Sequence, residues 1–119
     1  MSKVKSAKPR YATIEKAIRT GIEKVLGKDS YYDEAIKHQF DGVWGDYRFY
    51  TPDQWAMRGE SIGEGALLSM TFEGTIYEHL NYNGLEGYTF ALMESINAEL
   101  NKLGVYYEQG FAWSLHVYP

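Results

Sequence analysis

The amino-acid sequence predicts an α+β fold, a two-layer sandwich in which a small, mostly antiparallel sheet of about three to four strands carries two longer helices on one face. Three observations predict it. Two apolar stripes recur at helical spacing, one in each half of the chain, and three segments alternate apolar and polar residues with period two. The 119 residues are 45% hydrophobic and 24% charged, the composition of one globular domain with enough chain to bury a core.

Residues 1–10 carry lysines, serines and Pro9 with Val4 as the only large apolar side chain between Met1 and Arg10, so they are read as a flexible basic arm preceding a single domain over 11–119. From Tyr11, the residues Ile14, Ala17, Ile18, Ile22, Val25 and Leu26 fall on one helical face, and Gly27 supplies the stop. Ser30 and Asp33 can cap a shorter helix through Gln39 that ends near Asp41-Gly42. Val43 to Tyr50 alternates as a strand, with Tyr47 and Phe49 on one side and Trp44, Asp46, Arg48 and Tyr50 on the other. Thr51-Pro52-Asp53-Gln54 places a threonine cap, a proline at the first helical position and a glutamine three after the cap, which predicts a short helix carrying Trp55 and Met57.

Ala66 to Glu73 predicts a second strand, with Leu68, Met70 and Phe72 facing inward. Thr75 and Glu78 repeat the capping-box spacing and predict a short helix to Tyr82, in competition with a hairpin turn at Asn83-Gly84. Leu85, Tyr88, Leu92, Ile96, Leu100 and Leu103 form the second long stripe, closed by Gly104. Val105 to Tyr118 then alternates throughout and predicts one long final strand, bulged at Gly110.

The formal charge of -4 divides unequally. Residues 1–28 hold eight basic and two acidic side chains, a net of +6, whereas the remaining residues hold four basic and fourteen acidic ones, a net of -10. An acidic body favours basic partners and disfavours direct binding of nucleic acid. No cysteine is present, which excludes disulfides and thiolate chemistry and fits a cytoplasmic location. The apolar runs are far too short for a membrane span.

Catalytic motifs are tested and rejected. Gly59-Glu60-Ser61-Ile62-Gly63 spells the G-x-S-x-G string, but it follows a short helix and precedes a strand, the reverse of a nucleophile elbow. Gly21 and Gly27-Lys28 have the wrong spacing for a phosphate loop, and Asp29 stands where a magnesium-binding hydroxyl is needed. Gly63-Glu64-Gly65 lacks the third glycine of a dinucleotide fingerprint. His38, His79 and His116 have no second metal-type ligand at a productive spacing, so neither a metal nor another cofactor is expected.

The aromatic content points further. Eleven tyrosines, three tryptophans and five phenylalanines exceed the needs of one small core. Trp44, Tyr50, Tyr106 and Tyr118 fall on the strand faces opposite the apolar stripes, interspersed with Asp46, Glu73 and Glu108. These seven residues are the candidate binding site, since tyrosine and tryptophan dominate interface hot spots. A sheet buried on both sides and a homo-oligomer interface are the competing readings of the same residues.

The stretch Tyr50 to Glu60 (Y-T-P-D-Q-W-A-M-R-G-E) and the ending Gly110 to Pro119 (G-F-A-W-S-L-H-V-Y-P) resemble small accessory proteins of tailed bacteriophages and mobile elements, among them anti-CRISPR and anti-restriction inhibitors. The resemblance implies a non-enzymatic protein in the host cytoplasm that inhibits a host nucleic-acid-handling or defence protein. Its acidic aromatic surface would occupy a basic channel, with carboxylates in place of phosphates. The +6 leader departs from a pure nucleic-acid mimic and suits packing on the acidic body of a neighbouring subunit. The alternative function is a small oligomeric enzyme or ligand-binding protein with a site between subunits, using Glu73 with Tyr47 or Tyr77.

Overall fold

The computed structural model describes residues 10–26, 47–82 and 89–119, which form a four-stranded antiparallel sheet with two helices packed together against it. The order along the chain is α1 (Arg10–Leu26), β1 (Tyr47–Tyr50), α2 (Pro52–Ala56), β2 (Leu68–Phe72), α3 (Thr75–Asn81), α4 (Ala91–Asn101), β3 (Tyr106–Gln109) and β4 (Ser114–Tyr118). The expected helix over Ser30 to Gln39, the hairpin turn at Asn83-Gly84 and the stripe residues Leu85 and Tyr88 lie outside the described residues.

The helical layer follows from the stripes. Ile14, Ile18, Ile22 and Leu26 are buried at i, i+4 steps along α1, and Leu92, Ile96 and Leu100 repeat that spacing along α4. Repeated i+4 steps keep a row of branched side chains on one helix face. The two helices meet at Gly21, where a Cβ would lie 2.8 Å from the Ile96 Cα, and Ser95 Oγ donates to the Gly21 carbonyl at 2.8 Å. Lys24 adds an ion pair to Glu99 at 2.5 Å across the same helix pair. Arg10 is the first residue of α1, and its guanidinium donates to the Leu103 carbonyl just beyond α4.

The sheet order is β1-β2-β4-β3. Tyr47 pairs with Phe72, Met70 with Leu115, and Tyr107 with Val117, so these side chains lie on one face and bury against the helices. The expected inward faces of the first two strands are the observed ones. The Tyr47 hydroxyl accepts from Arg19 at 2.6 Å, and the Arg19 guanidinium lies 5.3 Å from its ring centroid.

Two local expectations need correction. Val105 to Tyr118 is not one strand but a hairpin, with Phe111, Ala112 and Trp113 in its turn and bonds from Gly110 N to Ser114 O and from Ser114 N to Phe111 O. The pairing Tyr107↔Val117 joins two odd-numbered residues, so odd positions keep to one face on both arms and alternation reads the same for a hairpin as for a continuous strand. The second correction concerns α3. Its N-cap is Gly74, at φ 72°, with no side-chain cap bond, so Thr75 is the first helical residue rather than the cap. The capping box at Thr51, by contrast, forms in full: Gln54 N donates to Thr51 Oγ1, and Thr51 N donates to Gln54 Oε1.

Candidate functional site

The face of the sheet turned away from the helices carries the candidate residues. The registers align Tyr50, Ser69, His116 and Glu108 in one cross-strand row, and Arg48, Thr71 and Ser114 in the next. Tyr118 pairs with Tyr106 at the other end. Strand spacing puts Tyr50 and Glu108 roughly 14 Å apart across this row.

Residues 51–66, the connection from β1 to β2, fold back as a strap over the middle of the row. Trp55 is buried, donates from Nε1 to the Ile62 carbonyl at 2.7 Å, and sets its ring edge-on to His116 at 4.9 Å. Two glycines allow this approach. A Cβ on Gly63, at φ 96°, would stand 2.7 Å from His116 Nδ1, and one on Gly110 would stand 2.5 Å from Ile62 Cγ2.

Beneath the strap, His116 is fully buried between two serines, with Ser69 Oγ 2.8 Å from Nδ1 and Ser114 Oγ 3.0 Å from Nε2. Phe111 N donates to Ser114 Oγ, which leaves the Ser114 proton free for the imidazole. Burial lowers the His116 pKa, because it disfavours the charged imidazolium. The trio holds no carboxylate and no exposed hydroxyl, and it reads as a satisfied polar core rather than a nucleophile with its base. Ser61 of the G-x-S-x-G string is exposed on the strap, and its hydroxyl is not the one that pairs with His116.

On either side of the strap the face is open, and the seven candidate residues separate accordingly. Tyr106 is 42% exposed, its ring centroid is 6.0 Å from that of half-buried Tyr118, and Glu108 is exposed on the same strand. The Tyr118 phenol has its pKa raised by burial and then by Glu108 and Tyr106 beside it. Tyr50 and Glu73 lie at the opposite edge in a recess of about 370 Å³, together with Arg48, Arg58, Thr71, Phe72 and Trp113. Trp44 and Asp46 lie outside the described residues.

The recess contains side chains that the sequence did not single out. Arg58 stands with its guanidinium carbon 5.3 Å, 5.1 Å and 5.6 Å from the ring centroids of Tyr50, Trp55 and Trp113, and Trp113 stacks on Phe111 at 4.6 Å. Arg58 also donates to the Tyr50 hydroxyl and pairs with Glu60, each at 3.2 Å. Unbroken alternation over Val105 to Tyr118 would put Trp113 on the apolar face with Tyr107 and Leu115, and the hairpin turn brings it to the recess instead. Glu73 does not meet Tyr47, which lies on the helix face against Arg19. The position of Arg48 was legible from alternation with Tyr50, but no local pattern announces that Arg58 stacks on three rings from separate segments.

Among the described residues, no group of three or more His, Asp or Glu side chains converges as a metal site, and no helix is long and apolar enough to cross a membrane. No protein-family model, curated protein or solved structure matches the chain, so the site stands on its own geometry.

Proposed function

We infer that the protein is a non-enzymatic binding protein of the phage counter-defence type, which inhibits a host nucleic-acid-handling or defence protein by docking the acidic, aromatic edge of its open sheet face. The observation that carries this reading is the Tyr106–Tyr118 pair with exposed Glu108 on β3. Two large rings with polar tips beside a carboxylate are the ingredients of a hot spot for a basic partner. The -10 net charge of residues 29–119 favours the same partner class by long-range attraction. The proposed docking uses side chains; along that edge Asn97 Oδ1 already accepts the Tyr107 amide at 3.3 Å, which takes one backbone donor away from strand addition. Trp44 and Asp46 belong to the proposed surface through their sequence positions alone, and Tyr50 and Glu73 occupy its far edge.

The test begins with capture from bacterial lysate by the tagged protein, followed by affinity measurement on the purified partner over a salt series. The reading expects a stoichiometric basic partner whose affinity falls with salt, falls more than tenfold for Tyr106→Ala/Tyr118→Ala, and depends less steeply on salt for Glu108→Gln. Met57, 87% exposed outside this edge, supplies the control substitution Met57→Ser. Affinity unchanged in the tyrosine and glutamate variants overturns the reading. A dimeric mass that Tyr106→Ala converts to monomer also overturns it, in favour of self-association.

A second reading, the small-ligand site, is favoured by the recess at Arg48 and Glu73, though not in company with Tyr47 or Tyr77.

A further inference from the structure

The geometry points to a second binding site, separate from the Tyr106 edge: the recess at the β1 side of the open face receives a mononucleotide, with its phosphate on Arg48 and Arg58 and its base edge on Glu73. Arg48 and Glu73 both line this recess, and among the described residues neither has an ion-pair partner. They are diagonal neighbours across β1 and β2, since Arg48 pairs with Thr71 and Glu73 follows two residues later. In a regular ladder such positions are about 7–8 Å apart at Cα, close enough for one ligand to engage both side chains. Among the described residues, the recess therefore holds a cation and a carboxylate that form no ion pair with each other or with a third side chain.

Arg58 supplies a second, fixed cation. Three aromatic rings and Glu60 set its position, and the bonds to Tyr50 and Glu60 use two of its five N–H donors. A guanidinium pre-set in this way loses little freedom on gripping an oxyanion, and two guanidiniums suit a phosphate better than a single lysine would. The complementary ligand therefore has an oxyanion at one end and N–H donors at the other. Two guanidiniums on one oxyanion exceed what a single carboxylate needs and match the several free oxygens of a phosphate monoester, which an α-amino acid lacks. A nucleotide joins such a phosphate to a base that carries the N–H donors. The recess, at about 370 Å³, falls in the size range of small-molecule sites, and Trp113 gives it an apolar wall for a base.

The carboxylate also selects among bases. An ionised glutamate only accepts hydrogen bonds. Guanine offers two N–H donors side by side, whereas uracil offers a single N–H between two carbonyl oxygens that a carboxylate repels. Guanosine monophosphate is the favoured probe and uridine monophosphate the disfavoured one.

The experiment is a titration of the ¹⁵N-labelled full chain with guanosine monophosphate, uridine monophosphate and inorganic phosphate, read by amide and indole chemical shifts. Expected are saturable shifts at Thr71, Glu73 and the Trp113 indole with the guanine nucleotide, and affinity at least about tenfold weaker for the uridine nucleotide and for phosphate, the loss of one good hydrogen-bonding pair. Arg48→Ala weakens the guanine nucleotide about tenfold or more, and Glu73→Gln moves the preference toward the uridine nucleotide, because an amide both donates and accepts. Both positions are exposed, and unchanged dispersion elsewhere in the spectrum verifies each fold. Equal affinity for phosphate and nucleotide overturns the proposal in favour of a bare oxyanion site. Equal affinity of the wild-type chain for the two nucleotides, or no shift at millimolar concentration, also overturns it. Tyr106→Ala leaves the nucleotide affinity unchanged, which separates this site from the docking edge.

Discussion

Adding one methyl group at Gly63 tests whether the strap is clamped to the sheet through His116. The Cβ of Gly63→Ala would stand 2.7 Å from His116 Nδ1 and 2.8 Å from Trp55 Nε1. Neither ring can step aside cheaply, because His116 is held by Ser69 and Ser114 and Trp55 by the Ile62 carbonyl. Overpacking of this kind costs roughly 1–3 kcal/mol. The backbone at φ 96° adds about 1–2 kcal/mol for any L-residue. The sum is about 2–5 kcal/mol, a large share of the roughly 5–15 kcal/mol that stabilises an ordinary domain. Gly65→Ala isolates the backbone part, since Gly65 has φ 86° and no heavy atom within 4 Å of its added Cβ. Gly110→Ala isolates the packing part, since its Cβ would stand 2.5 Å from Ile62 Cγ2 and 2.6 Å from His116 Nε2 without a positive φ. Urea unfolding followed by tryptophan fluorescence reads all three, and the Gly63 variant should shift its midpoint down by an amount on the order of 1 M with an unchanged slope. A Gly63→Ala protein no less stable than Gly65→Ala would refute the clamp.

Three further outcomes follow from the same contacts. Burial lowers the pKa of His116 from its ordinary 6.5, so the unfolded chain binds the proton more readily; stability is full above pH 6.5 and declines as pH falls toward the folded-state value, and urea midpoints at pH 8, 6.5 and 5 should show a drop that His116→Asn reduces, with the remainder assigned to His79, whose pKa burial also lowers. Arg58→Ala removes a guanidinium from three rings and should cost about 1–2 kcal/mol, with Arg58→Lys recovering part of it, as measured by the same unfolding curves. Thr51→Ala breaks a formed capping box at the start of the strap and should cost about 1 kcal/mol in the thermal or urea transition, whereas Thr75→Ala, at a position that makes no cap bond, should cost markedly less.

The sequence by itself determined the layers, because the side-chain periods of helices and strands are local properties of the backbone. Ile14 to Leu26 and Leu92 to Leu100 bury on the faces their spacing predicts, and Leu68, Met70 and Phe72 point inward as alternation requires. It also determined that Tyr50, Tyr106, Glu108 and Tyr118 share the face opposite the helices, since parity alone decides this and survives the unrecognised hairpin turn. Only the tertiary structure decided the strand order, which sets Tyr50 and Glu108 at opposite edges with β2 and β4 between them. It alone decided that the strap divides the face, because Trp55 and Gly63 reach His116 through contacts between segments more than fifty residues apart. The same holds for the recess: Arg48 and Glu73 become neighbours through strand pairing, and Arg58 and Trp113 through the strap and the hairpin turn. Periodicity records which way a side chain points relative to its own segment and carries no information about which other segment it will face.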